Sequence, residues 1–263
     1  MKDCWHWHRD TEQPYLTTSI LDRWSHGFFT RTSWPAAPDV LSQQLSGAKT
    51  VYRAKQVHGN RVVTPPELPT ELSPSEALPA ADAVMSTAPQ QSVWVCTADC
   101  TPVLIADEQT GQVAAIHAGW RGTALKIVPL TIQKMQAQGS ELPHLRIAMG
   151  PAIAGAVYQV TTHVAAEVGR SLTALHPELE YLPDADVIAQ LQGFTEPPLL
   201  PDPQPGRVKL DVRRVNALQI EALGIHPEQL ATAPHCTFQE PERFFSYRRT
   251  REKKVQWSGI VSC

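Results

Sequence analysis

Long basic runs, signal-type apolar runs and membrane-length apolar stretches are all missing from these 263 residues, and each absence removes a class of function. Lysine and arginine number 23 against 26 acidic residues, a formal charge of -3. A nucleic-acid partner held by phosphate neutralisation is therefore not expected, although a small anionic substrate is. No stretch approaches the length of a bilayer span, so no membrane partner is expected either. The first residues, MKDCWHWHRDTEQPYLTTS, hold no apolar run of the export type, which points to a cytoplasmic location. Cysteine is scarce, odd in number and scattered: Cys4, Cys96, Cys100, Cys236 and Cys263. A disulfide framework is not expected from such spacing, and reduced thiols are. Signatures of the CxxC or HExxH kind are absent, as is any internal repeat.

What is present suits one α/β domain over residues 1–263. Hydrophobic residues make up 42% and charged residues 19%, enough apolar side chain for a sizeable core. Two proline-rich runs, PPELPTELSPSEALPA at 65–80 and FTEPPLLPDPQPG at 194–206, read as surface loops. Residues 1–18 read as a mobile leading segment. Elsewhere apolar and β-branched runs predict strands over 50–57, 92–97, 102–106, 112–117, 145–149, 230–236 and 256–261. The turn-like Asp107-Glu108-Gln109-Thr110-Gly111 joins two of them as a hairpin, so the sheets should be partly antiparallel. A helix is predicted over 122–138 with Leu125, Val128, Ile132 and Met135 on one face; Pro129 inside it implies a kink or a late start. Further helices are predicted over 162–175 and from an Asp211 N-cap to Gly224, the latter burying Val212, Val215, Leu218 and Ala222. Mixed strands with interspersed helices make a layered α/β domain.

Three short runs place metal-capable side chains beside glycine or proline at predicted strand ends. They are Gln56-Val57-His58-Gly59, Thr97-Ala98-Asp99-Cys100-Thr101-Pro102 and His117-Ala118-Gly119-Trp120-Arg121-Gly122. Loops on a rigid sheet are where reactive groups gather. His58, Cys100 and His117 offer two imidazoles and a thiolate, a set suited to a borderline-soft ion such as Zn²⁺. Three protein ligands leave a fourth position open, the catalytic rather than the structural pattern. The same residues serve other readings: Cys100 as a nucleophile with His117 as its base, or a small buried thiol beside two core histidines. Spacing alone does not separate them.

Six runs, KQVHGNRV, ADAVMST, VCTADCTPVLIAD, AAIHAGWRGTALKIV, AMGPAIAGAVYQV and HCTF with FFSYRR, resemble the laccase-domain, YfiH-type family from His26 to Ile260. The resemblance implies a single-domain four-layer αββα sandwich with His58, Cys100 and His117 as metal ligands. It further implies phosphorolysis of purine nucleosides (adenosine, inosine, guanosine, methylthioadenosine) with a companion adenosine deamination, zinc being the metal and copper the alternative. The family's older label is copper-dependent polyphenol oxidation, and a cysteine-dependent hydrolase editing cell-wall precursors has also been attached to relatives. A full multicopper centre needs repeated HxH pairs, and this chain has one, His6-Trp7-His8. Departures from the family pattern fall outside the three ligands: Thr32-Ser33-Trp34-Pro35 after Thr30-Arg31, no cysteine in GPAIAG, and Lys253-Lys254-Val255 where Gly-Arg is common.

Four arginines are candidate phosphate contacts, because a bidentate guanidinium suits that anion. Arg121 precedes a predicted helix start, Arg248 and Arg249 stand in FFSYRR, and Arg31 ends FFTR. Each has the simpler reading of a surface ion pair. Asp99 is the candidate proton shuttle beside the catalytic pair Cys100 and His117, although a regular strand aims it away from Cys100's face. A nucleoside and phosphate are the expected partners, with the chain acting as a monomer.

Overall fold

Alternation along three central strands sets the layers. In Gln91–Thr97, Val93 and Val95 face one way, to Tyr52, Leu104 and Ala115, while Trp94 faces the other, to Phe29 and Leu41. In Thr101–Asp107 and Val113–Ala118, Leu104, Ala106, Val113 and Ala115 share the first face. Val103, Ile105, Ala114 and Ile116 take the opposite face, against Ile127, Val128, Ile132, Ala217 and Ile220 of two helices. All of these strand residues are buried, so each strand packs on both sides, and a one-residue slip would exchange its two sets of partners.

The computed structural model describes residues 4–45, 50–69 and 77–263. Its first six-stranded sheet runs Trp5–His8, Tyr15–Thr18, His26–Phe29, Gln256–Val261, Gln91–Thr97, Thr50–Tyr52. The second runs Leu230–Thr232, Leu145–Met149, Thr101–Asp107, Val113–Ala118, Ala83–Met85, Val62–Val63. Pairing is mostly antiparallel, with parallel edges at Thr50–Tyr52, Leu230–Thr232 and Val62–Val63, so both sheets are mixed. Helix Pro38–Leu45 covers the outer face of the first sheet through Leu41; Ile127–Gln136 and Val212–Glu221 cover the second. The result is the expected αββα sandwich. A small third sheet, Gln159–Thr161, Arg207–Leu210, Leu199–Pro201, packs with helices Thr162–Gly169 and Asp184–Gln192 around Val160, Leu191 and Val208. Among the described residues, no helix is long and apolar enough to cross a membrane.

Several local expectations are corrected. Residues 5–8 and 15–18, read as part of a mobile segment, form an antiparallel edge hairpin, with Trp5 packed on Phe28 and Trp7 on His235. Aromatic burial anchors what its polar neighbours suggested was loose. The run 194–206 is not all loop: Leu199–Pro201 pairs with Arg207–Leu210, its proline lying on an edge strand where no ladder donor is required. Of 65–80, Pro65–Glu67 is a 3₁₀ turn closed by a Thr64–Glu67 capping box, and residues 70–76 lie outside the described residues. Strand 50–57 ends at Tyr52, because Gln56 turns its amide onto both backbone groups of Cys96.

The helix over 122–138 is two helices, Trp120–Ala124 and Ile127–Gln136, separated by Lys126 in a left-handed conformation. Pro129 sits in the first turn of the second, where its missing N–H has no helical partner to lose. Leu125 falls at the break and is exposed, leaving Val128, Ile132 and Met135 as the apolar face. Asp211 caps the later helix as expected, accepting from the Arg214 N–H at 3.1 Å, with Val212, Val215 and Leu218 buried and Ala222 only partly so.

Gly259 tests the tightness of this packing. It lies in the strand between His26–Phe29 and Gln91–Thr97, and an added Cβ would overlap the buried Trp94 indole. Gly259→Ala should lower stability by about 1–3 kcal/mol, read from the urea midpoint at unchanged slope. An unchanged midpoint would mean the Trp94 layer is looser than these contacts indicate.

Candidate metal centre

The antiparallel register opposes Pro102 to His117 and Thr101 to Ala118, so Cys100, one step before its strand, arrives beside His117. His58 comes from a turn, with φ of 61°. Ligating atoms of His58, Cys100 and His117 lie within 4.8 Å of one another, and the two imidazoles meet edge-on at 81°. Gly119 leaves the space they need: a Cβ there would come within 2.8 Å of the Cys100 sulfur and 3.3 Å of the His58 ring.

Asp82 orients the group from behind. Its fully buried carboxylate accepts from His117 Nδ1 at 2.8 Å, which leaves Nε2 to face the cluster. It also accepts the N–H groups of Val57, His58 and Gly59 at 3.1, 2.9 and 2.7 Å, holding the turn that carries the other imidazole. Burial would raise the Asp82 carboxyl, but the His117 hydrogen bond and the amide donors outweigh it and hold it low. Burial would likewise raise the Cys100 thiol, yet the His117 charge and hydrogen bonds from His117 and His58 bring it to about 6. Against its own burial, His117 is carried to about 9 by the Cys100 charge and by Asp82. A thiolate, two imidazoles and an orienting carboxylate fit a divalent borderline-soft ion. Among the described residues, this is where three such groups converge.

The other residues singled out in the sequence separate here. Asp99 ties two later segments to the Cys100 turn: one carboxylate oxygen accepts from Thr237 Oγ1 and the other from the Arg248 N–H, both at 2.7 Å. Arg249 gives its guanidinium to the carbonyls of Thr237, Phe238 and Phe244, which makes it a structural tie. Arg31 donates to Pro241 O and lies 4.9 Å over the Phe245 ring; neither contact belongs to the cluster. Arg248 donates to Gln159 O at 2.8 Å and lies 4.7 Å over the Tyr158 ring. Arg121 is exposed and stacks 4.3 Å over Trp120. The charges of Cys100, Arg248 and Arg121 are all felt at Tyr158, whose hydroxyl burial pushes up to about 12. Cys96, near Arg53, has its thiol pushed up by burial to about 11, the opposite direction to Cys100. His8 of the one HxH pair bonds Thr17 and stacks on Tyr15.

Asp82 and Tyr158 were not singled out from the sequence. Both lie inside runs that carried the resemblance, ADAVMST and AMGPAIAGAVYQV, and an acidic residue alone within an apolar run is the signal that marks Asp82.

An αββα sandwich with one imidazole–thiolate–imidazole group at its strand ends is the class that fold and site define. The chain belongs to the multi-copper polyphenol oxidoreductase laccase family, an enzyme family whose model matches residues 38–261. It is 51% identical over 261 residues to a purine nucleoside phosphorylase of Synechocystis sp., covering 99% of this chain and 98% of that one. It is 30% identical over 198 residues, 74% of this chain and 68% of the other, to the adenosine deaminase RL5 of an unknown prokaryotic organism. The YfiH crystal structure from Bacillus licheniformis shares the fold with a TM-score of 0.74 at 23% identity, covering 98% and 99% of the two chains.

Two outcomes are expected of the centre. Asp82→Asn replaces an acceptor-only group with one that meets an N–H by an N–H, and metal affinity should fall about 10–100-fold in chelator competition. In metal-depleted protein, alkylation of Cys100 should be complete above a midpoint of about pH 6 and lost as pH falls through it. The midpoint should move up towards that of an ordinary thiol in His117→Ala; an unmoved midpoint would remove His117 as the cause.

Proposed function

We propose that the chain is a zinc-dependent purine nucleoside phosphorylase with a companion adenosine deaminase activity. It would act as a cytoplasmic monomer on adenosine, inosine, guanosine or methylthioadenosine. The observation that carries this reading is the juxtaposition of two kinds of group. Asp99, next to the Cys100 of the His58, Cys100 and His117 cluster, accepts the Arg248 N–H at 2.7 Å, and the Arg248 guanidinium lies over the Tyr158 ring. One kind suits a metal and the other an anion. The names of the Synechocystis and RL5 relatives agree with the two activities.

In phosphorolysis, a phosphate oxygen forms a bond to C1′ of the ribose as the C1′–N9 bond breaks; the base leaves with the electron pair and takes up the proton that phosphate gives up, giving ribose 1-phosphate and free base. Arg248 and Arg121 would hold the phosphate, and the Tyr158 ring would limit where it sits. Zinc held by His58, Cys100 and His117 would supply Lewis acidity beside the substrate, for either activity. Asp82 keeps the His117 proton on Nδ1, so the other nitrogen keeps its lone pair for the site.

A second reading draws on the low Cys100 thiol. A thiolate beside an imidazolium is what a cysteine-dependent hydrolase acting on cell-wall precursors would use. Copper, as in a polyphenol oxidase, suits the same donors, since Cu²⁺ outcompetes Zn²⁺ for many nitrogen and sulfur ligands.

Release of base from adenosine and inosine, with and without phosphate, on wild type and Cys100→Ala tests the three together. Phosphate-dependent base release by protein with one zinc per chain is expected, falling about 10²-fold or more in Cys100→Ala together with the metal. Turnover indifferent to phosphate would overturn phosphorolysis. Full activity in the chelated enzyme, abolished by thiol alkylation, would favour the hydrolase.

A further inference from the structure

Asp99 commits each carboxylate oxygen to a hydrogen bond, and it occupies the position next to a candidate metal ligand. Its backbone stands at φ of 97°, a left-handed conformation that side-chain-bearing residues rarely adopt. The conformation turns its carboxylate towards two later segments of the chain. One oxygen takes the Thr237 hydroxyl, the other takes the Arg248 amide, and the Asp99 carbonyl takes the Ile153 N–H at 3.0 Å. The segments around Ile153, Thr237 and Arg248 are thereby pinned to the turn that presents Cys100.

Arg248 belongs to the one-turn helix Tyr247–Thr250, capped by Ser246, which accepts from Arg249 N at 3.2 Å. One turn has little stability of its own. Asp99 fixes this helix at the backbone, while Gln159 O and the Tyr158 ring fix the guanidinium. A long side chain restrained at both ends has already lost much of the freedom that binding an anion would otherwise remove.

We infer that Asp99 is a positioning residue that aims Arg248 and sets the distance between the metal group and the anion subsite. Asp99 thereby governs affinity for phosphate. The inference rests on the phosphorylase reading for the identity of the anion, inorganic phosphate.

The test compares KM for phosphate, KM for inosine, kcat and metal content across five variants. Asp99→Gly removes the carboxylate and tolerates the φ; Asp99→Asn accepts the Arg248 N–H and donates its NH₂ to the Thr237 hydroxyl. Thr237→Val removes one brace and is the milder change. Arg248→Ala and the double variant Asp99→Gly/Arg248→Ala complete a cycle. KM for phosphate should rise about tenfold or more in Asp99→Gly and two- to threefold in Thr237→Val, with zinc content and KM for inosine close to wild type. Asp99→Asn should return it to within about threefold of wild type. The double variant should be no worse than Arg248→Ala, since Asp99 acts on phosphate through the guanidinium that Arg248→Ala already removes.

Additive effects in the double variant, or an unchanged phosphate KM in Asp99→Gly, would overturn the inference while leaving phosphorolysis standing. Loss of zinc in parallel with activity in both Asp99 variants would also overturn it, making Asp99 a support of the metal site. A wild type that neither uses nor binds phosphate would remove the phosphorylase reading and the inference with it.

Discussion

One buried carboxylate holds the centre together. Asp82 accepts the His117 imidazole and the backbone amides of the His58 turn, so two side chains that start 59 positions apart share a single anchor. A carboxylate in a dry interior is tolerated only when its lone pairs are filled, and here four donors fill them. Its removal would uncouple the strand bearing His117 from the turn bearing His58. Cys100 is placed separately, by the hairpin register that brings the start of Thr101–Asp107 beside the end of Val113–Ala118. The sandwich supplies the framework on which both devices depend, because both adjoining strands are buried on each face and lack the freedom to slide.

A second carboxylate, Asp99, does for the surrounding loops what Asp82 does for the ligands. It joins the Cys100 turn to the segments carrying Ile153, Thr237 and Arg248. Tyr158 lies under the Arg248 guanidinium, which Gln159 O also holds. The site is thus built from parts far apart in the chain, and the two acidic side chains fix their spacing.

The central strands were legible because their apolar and β-branched runs are bounded by strong turn signals, as with Asp107 to Gly111. His58, Cys100 and His117 were legible from donor chemistry and from the motifs around them, and the structure brings the three together. The elements missed are those decided by tertiary contact. Trp5 and Trp7 order a polar-looking hairpin, and an edge position makes Pro201 acceptable in a strand. Arginine roles were the least legible, because a guanidinium suits a carbonyl or an anion equally with no change in its neighbours. Arg249 spends its donors on three carbonyls, whereas Arg248, next to it in sequence, lies over Tyr158. The partners of Asp99 were not legible, since they come from 138 and 149 residues away.

The central claim is that one ion is held by His58, Cys100 and His117 with a position left open. X-ray absorption at the metal edge of the purified protein tests it most directly. One sulfur at about 2.3 Å and two imidazole nitrogens at about 2.0–2.1 Å, with one further light ligand, is the expected shell, and Cys100→Ala should lose most of the metal, with no sulfur around any ion it retains. A shell without sulfur in the wild type, or one unaltered by that substitution, would contradict the account.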